Sequence, residues 1–303
     1  MKRRDFLYKS LITGVGLAYS GNFLQASPLP SEKRITILHT NDMHSRIDPF
    51  PNDGGRNANQ GGMTKLASVI TNIRKEEEHL LLLDAGDVFQ GTPYFNFYGG
   101  ELEFKLMSQM GFDASTIGNH EFDNGLEGIL EQLPNASFPH IISNYDFSDT
   151  ILRNKTLPYK IFKKDGVKIG VFGLGIALEG LVAKKNYGNT VYLDPVAIAN
   201  EMVSELRSKK CELIICLSHL GYSYKGEQID DLKLASAVSG IDLIIGGHTH
   251  TFLDEPALVS NPQGHKTLVH QVGTGALRLG KVDFVFSQDN RMKLASSNSL
   301  PIS

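Results

Sequence analysis

The stretch Ile117-Gly118-Asn119-His120-Glu121-Phe122-Asp123 decides how the rest of the chain is read. It leaves a strand-like run, Asp113-Ala114-Ser115-Thr116-Ile117, passes through a glycine, and enters a cluster of groups able to bind a metal or carry a proton. Gly118 dispenses with a Cβ where the backbone must turn tightly beside a ligand. Asn119 offers a neutral amide oxygen to a cation. His120 titrates near neutrality, and Asp123 is spaced to hold its imidazole in one orientation. Taken alone, this is a polar loop after a strand. Working outward, similar residues recur after other apolar runs: at Asp42-Met43-His44, at Gly86-Asp87, at Ser218-His219 and at Gly247-His248-Thr249-His250.

Together Asp42, His44, Asp87, Asn119, His219, His248 and His250 offer three carboxylate or amide oxygens and four imidazoles, too many for one tetrahedral ion. They suit two cations roughly 3.5–4 Å apart with one carboxylate bridging. Mixed oxygen and nitrogen donors favour zinc, manganese, iron or cobalt over calcium or magnesium. Spacing of i, i+2 on an extended segment lets Asp42 and His44, or His248 and His250, face one way as chelating pairs.

The sequence has 303 residues, 41% hydrophobic and 21% charged, with a net charge of -3, which is ordinary for a soluble globular protein with a substantial core. Without a basic excess, a nucleic-acid groove built on phosphate contacts is not expected. A small anionic substrate remains open, because bound cations supply local positive charge. Residues 1–30 read as an address: Lys2-Arg3-Arg4-Asp5-Phe6-Leu7 followed by a glycine-bearing apolar run, Leu11 to Leu24, resembles a bacterial twin-arginine export signal. The run is too short and too broken by Gly14, Gly16 and Gly21 to span a membrane. Cleavage near Ala26 is expected, although Leu24 fits the site poorly, and the folded protein is expected in the periplasm or at the cell surface. Cys211 and Cys216 flank a strand-like run at odd separation, which points them to opposite faces as unpaired core residues.

After Pro30 no repeat, linker or low-complexity block divides the chain, so residues 31–303 read as one domain. Strands are expected at Arg34 to His39, Leu80 to Asp84, Asp113 to Ile117 and His140 to Ser143. Helices are expected at Met63 to Glu78, Glu101 to Met110 closed by Gly111, and about Leu126 to Leu133. Tyr159 to Lys163 and Val167 to Leu174 form a hairpin around Asp165-Gly166. Asp194 caps a helix that starts with Pro195 and runs to about Lys209. Glu212 to Leu217 and Ile241 to Ile245 are core strands with a helix near Ile229 to Val238 between them. The tail, Leu268 to Val272 and Lys281 to Ser287, reads as antiparallel strands. The whole is an α/β protein, a two-sheet α/β/β/α sandwich whose ligands gather at the carboxyl ends of strands.

The ordered series Asn41-Asp42-x-His44, Gly86-Asp87-x-x-Gln90-Gly91, Gly118-Asn119-His120-Glu121-Phe122-Asp123, Ser218-His219 and Gly247-His248-Thr249-His250 resembles the calcineurin-like metallophosphoesterases, in their 5′-nucleotidase branch. The resemblance spans about residues 34 to 285. It implies that Asp42, His44 and His250 bind one metal, that Asn119, His219 and His248 bind the other, and that Asp87 bridges, with Asp84 in support. It also implies that His120, oriented by Asp123, is the catalytic histidine, and that a metal-bridging hydroxide attacks a nucleotide or related phosphomonoester. Cyclic-nucleotide phosphodiesterase, sulfur-ester hydrolase and non-catalytic scaffold are the competing readings, the last predicting eroded ligands that this chain does not have. His250 departs from the Gln or Asn of some 5′-nucleotidases. The second domain implied by the resemblance, with its aromatic clamp and arginines, is not found before Ser303, so a separately encoded nucleotide-binding domain is the expected partner, and the chain alone is expected to be broad in substrate. The aromatic run Tyr94-Phe95-x-Phe97-Tyr98 is expected to pack under a long loop, and Asn57 to Gly62 to be surface loop. His39 is expected near the metals or in the core, and His79, His140, His265 and His270 are expected to be structural or solvated.

Overall fold

Alternation within the core strands builds a double layer. The computed structural model describes residues 32–287 and 292–303, so the expected export signal lies outside the described residues. In chain order the strands are Lys33–Thr40 (β1), Leu80–Asp84 (β2), Ala114–Ser115 (β3), Tyr145–Asp146 (β4), Tyr159–Lys164 (β5), Val167–Leu174 (β6) and Val191–Tyr192 (β7). They continue with Leu213–Ser218 (β8), Leu243–Gly246 (β9), Ala257–Ser260 (β10), Lys266–His270 (β11), Arg278–Phe286 (β12) and Met292–Pro301 (β13). One sheet has the order β13-β12-β1-β2-β3 and the other β10-β11-β9-β8-β6-β5, while β4 and β7 make a small separate pair.

Ile35 and Ile37 of β1, Leu81 and Leu83 of β2, and Leu213, Ile215 and Leu217 of β8 share one cluster between the sheets. Their neighbours turn outward. Leu38, Leu80 and Leu82 meet Met63, Leu66 and Ile70 of helix Met63–Glu76, and Ile214 and Cys216 meet Ala199, Met202 and Leu206 of helix Pro195–Ser208. Every second residue therefore buries against the opposite sheet and the rest against helices, which gives the expected α/β/β/α layering. Burying a Leu or Ile fully is worth about 1.5–3 kcal/mol, so this interface is the main force holding the two rows of strand ends side by side.

Local signals act as expected. Asp194 accepts a hydrogen bond from Ala197 N at 2.7 Å, ahead of Pro195. Gly111 ends its helix at φ 76, and Asp165 (φ 46) with Gly166 (φ 78) makes the two-residue hairpin turn between β5 and β6. Among the described residues no helix is long and apolar enough to cross a membrane.

Four expectations are corrected. The strand before Gly118 is only Ala114–Ser115, and His140 to Ser143 contributes isolated bridges, Ser115 with His140 and Ile141 with Leu157. The first tail strand, β11, runs parallel to β9, because β10 makes the return crossing and pairs antiparallel with β11. Apolar patterning carries no strand direction. Cys211 lies before β8 rather than on it, so it escapes the alternation and joins Cys216 in the helix-facing cluster; both are free.

His140 is buried between Phe104 and Phe138, at ring-centroid distances of 4.7 and 5.4 Å, and its Nε2 has no hydrogen-bond partner. Burial lowers its pKa to about 4. With the folded value depressed, its contribution is complete above the unfolded value and is lost as pH falls from about 6.5 towards 4, at about 1.4 kcal/mol per pH unit. His140→Phe should therefore lose less stability than the parent between pH 7 and 4.5 when denaturant midpoints are compared. An equal loss would assign the acid sensitivity to other groups.

Candidate metal centre

The carboxyl ends of five parallel strands converge on one spot. Asp42 and His44 follow β1, Asp87 follows β2, Asn119 follows β3, His219 follows β8, and His248 and His250 follow β9. Two groups of donors result: Asp42, His44 and His250 in one, Asp87, His219 and His248 in the other, with the donor atoms of each within 4.8 Å of one another. Asn119 reaches the second group through its Oδ1, 2.7 Å from His248 Nδ1. All seven residues named from the sequence are thus brought together. Each group draws on both sheets.

Asp87 stands between the groups. Its Oδ2 lies 3.0 Å from His219 Nε2 and 4.0 Å from His44 Nε2. The Oδ1 of Asp42 is 3.3 Å from His250 Nε2, 3.9 Å from His44 Nε2 and 4.0 Å from His219 Nε2. Backbone carbonyls aim the imidazoles: His219 Nδ1–H donates to Ala85 O at 2.7 Å and His44 Nδ1–H to Phe89 O at 3.1 Å, which turns both Nε2 lone pairs inward.

This arrangement calls for positive charge. His219 Nε2 is buried with no hydrogen-bond partner although a carboxylate oxygen is 3.0 Å away, and His44 Nε2 faces His250 Nε2 at 2.9 Å. Burial opposes a charge on His219, yet the Asp87 carboxylate outweighs it and the pKa is pushed up to about 10. Burial likewise opposes ionisation of Asp87, but His219 outweighs it and holds the carboxyl well below its usual range. Burial, joined by His219, lowers His248 to about 4, and burial lowers His44, which leaves neutral imidazoles of the kind that ligate metals. Neutral His44 and His248, and a His219 whose Nε2 proton a cation would replace, stand beside ionised oxygens and fit two divalent cations.

Residues around the donors fix them in place. Glu121 accepts from the backbone N–H of Asp87 (3.0 Å), Val88 (2.7 Å), Phe89 (3.3 Å) and Gly118 (2.6 Å), tying two strand-end loops to one carboxylate. Asp84, pushed up to about 7 by burial, accepts from Thr40 Oγ1, Ser115 Oγ and Gly86 N, at 2.7–2.9 Å, below the centre rather than in it. Asn41 Nδ2 donates to Asp42 Oδ2 at 2.6 Å, and Gln271 Nε2 donates to Gly247 O at 2.5 Å. Asp42, His44, Asp87, His248 and His250 all have φ between 48 and 72. Left-handed backbone costs a residue with a Cβ about 1–2 kcal/mol, a strain that collects at functional sites.

His120 opens a short 3-10 turn at the rim, and its Nδ1–H donates to Asp123 Oδ2 at 2.9 Å. That hydrogen bond raises its pKa against the effect of burial. Its backbone N–H donates to Asp87 Oδ1 at 2.8 Å, so the rim histidine and the shared carboxylate are placed together. His39 proves to be core: it is fully buried, 2.9 Å from His270 Nδ1. The aromatic run forms helix Pro93–Tyr98, in which Phe95 is buried as expected but Phe97 is 82% exposed.

A Cβ on Gly118 would stand 2.2 Å from Asp87 Oδ1 and 2.8 Å from His219 Cε1, so the glycine is required for space. Gly118→Ala should weaken uptake of Mn²⁺ or Zn²⁺ by at least about tenfold, at the low end of losses from residues supporting a metal site. Calorimetric titration, with circular dichroism to show a retained fold, measures this. Unchanged affinity would mean that Asp87 has another position from which to bind.

Comparison with known proteins places this geometry among relatives. The family description "Calcineurin-like phosphoesterase" matches residues 35–252. The chain is 33% identical over 287 residues to a snake venom 5′-nucleotidase of Crotalus adamanteus, covering 88% of this chain and 47% of that protein. It is 33% identical over 298 residues to a 5′-nucleotidase of Rattus norvegicus, covering 91% and 50%. Among solved structures, a 5′-nucleotidase precursor from Thermus thermophilus superposes with a TM-score of 0.80 at 32% identity, over 89% of this chain and 54% of that one. An NAD nucleotidase of Haemophilus influenzae gives 0.78 at 29% identity, over 88% and 50%. The chain spans about half the length of the curated relatives it matches.

Proposed function

The chain belongs to the calcineurin-like phosphoesterase family, and from that premise we propose that it is an exported hydrolase of nucleotides or related phosphomonoesters, working at two divalent cations. The observation that carries the reading is the position of Asp87, 3.0 Å from a histidine of one donor group and 4.0 Å from a histidine of the other. Relatives named 5′-nucleotidase along most of this chain support the nucleotide part. Arg3-Arg4 and the apolar run behind them support export.

In this reading Asp42, His44 and His250 hold one cation and Asn119, His219 and His248 the other, with Asp87 shared. Bound divalent cations lower the pKa of water and take up negative charge that builds on a phosphoryl group. The remaining work falls to the chain. The carbonyls of Ala85 and Phe89 keep His219 and His44 in the ligating tautomer. His120, with Nδ1–H held by Asp123, keeps Nε2 free to hydrogen-bond a phosphoryl oxygen or to give a proton to the leaving alkoxide. Water oxygen joins phosphorus, the ester P–O bond breaks, and the alkoxide leaves as an alcohol.

Two substitutions test the assignment, with phosphate release from AMP and p-nitrophenyl phosphate as the assay and metal content measured beside it. Asp87→Asn replaces the shared carboxylate with a neutral amide and should remove most activity while loosening both cations. Two tightly held ions with near-normal turnover would sink it. His120→Asn should keep both cations and lower kcat by roughly 10²–10⁴, the usual effect of a lost general acid. Loss of a cation from this variant would make His120 a ligand instead.

A further inference from the structure

A pocket of about 260 Å³ that includes none of the metal donors or His120 is bordered by Arg56, Asn57, Gln60, Arg278 and Phe252, of which Phe252 lies two residues along the chain from His250. We propose that it is the subsite for the leaving group, and that it favours an aromatic ring carrying its own negative charge, such as a nucleoside with a second phosphate. This rests on the phosphomonoesterase reading and adds a specificity site to it.

The pocket is built on the same backbone as the metal centre. Phe252 is two residues beyond His250, a span of at most about 7 Å. Gly275 N and Thr274 Oγ1 both donate to Asp42 O at 2.9 Å, and Gly273 O accepts from Asn41 Nδ2 at 2.6 Å. The volume falls below the roughly 300–1,000 Å³ of sites for drug-sized ligands, so it suits a ring with an attached group rather than a whole nucleotide.

Its chemistry is equally particular. Phe252 is 45% exposed yet packed closely on one side: a Cβ on Gly273 would meet its ring at 2.1 Å, and the Arg278 guanidinium lies 5.3 Å from its centroid. An aromatic ring packed on one side and open to solvent on the other offers a stacking platform. Arg278 is already paired with Asp254 at 2.6 Å, whereas the Arg56 guanidinium has no ion pair or hydrogen bond among the described residues. The side-chain amides of Asn57 and Gln60 are unengaged in the same sense. A stacking face, an uncommitted cation and two amides match a charged heterocyclic leaving group and offer little to a sugar.

The test uses the full chain loaded with Mn²⁺, comparing kcat/KM for release of 5′-phosphate from adenosine 3′,5′-bisphosphate, AMP and ribose 5-phosphate. Efficiency should fall in that order. Phe252→Ala should cut the ratio of AMP to ribose 5-phosphate about tenfold, the scale of one lost base–aromatic stack. Arg56→Gln should cut the ratio of bisphosphate to AMP about tenfold, as for a lost hydrogen bond between charged groups. A second readout needs no catalysis: calorimetric binding of adenosine 3′-monophosphate to the EDTA-treated chain should weaken in both variants. A flat substrate order, equal losses on all three substrates, or a shift of the ratios by Phe97→Ala instead would overturn the subsite. If the loaded chain turns over no phosphomonoester, the parent reading fails. The calorimetric arm then decides the pocket by itself, for it if the variants lose binding and against it if the parent chain shows none.

Discussion

Two buried carboxylates, Asp42 and Asp87, face inward-turned imidazoles across gaps of 3.0–4.0 Å, and much of the surrounding structure serves to keep them there. Left to themselves, such charges would turn towards water or take up protons. They are prevented by hydrogen bonds from behind. Asn41 and the N–H of His248 hold Asp42, the N–H of His120 holds Asp87, and Glu121 fixes the loop on which Asp87 rides. Donors of this kind favour the ionised state that metal ligation needs. The left-handed backbone at five of the donors is the cost of pointing them inward from loops so short.

The division of labour between layers follows. The buried cluster between the sheets sets how far apart the strand ends lie, and the loops only finish the aim. Asp42, His44, Asp87 and Asn119 come from one sheet, while His219, His248 and His250 come from the other. A change in core volume could thus be felt at the centre without touching any donor, because close-packed interiors transmit displacement.

The donors were legible because each follows an apolar run. Of the two pairs expected from i, i+2 spacing only Asp42 and His44 share a group, while His248 and His250 fall in different ones because their left-handed backbone turns successive side chains apart. Asp42 and His44 meet in one group, although their φ values of 49 and 48 show that the segment is not the extended one the spacing argument assumed. Glu121 sat inside the quoted stretch and was given no role, since no spacing rule says that a side chain will turn back onto backbone N–H groups more than thirty residues upstream. Gln271 was invisible for the same reason, its partner being a carbonyl at Gly247. The direction of β11 and the placing of Cys211 were missed because apolar alternation records burial, not orientation or the residue at which a strand begins. Phe252 gave no signal either: its meaning lies in Gly273 and Arg278, which reach it only after folding.

Each donor group takes residues from both sheets, and this gives a bound ion a mechanical office. It would act as a rivet through two plates that at that edge are otherwise joined by hydrogen bonds such as His219 to Ala85 O and His248 N–H to Asp42. Ligand binding to the folded state adds stability in proportion to the logarithm of free ligand concentration. The rigidity of the sandwich, and with it resistance to proteases and heat, would then track how much metal its surroundings supply.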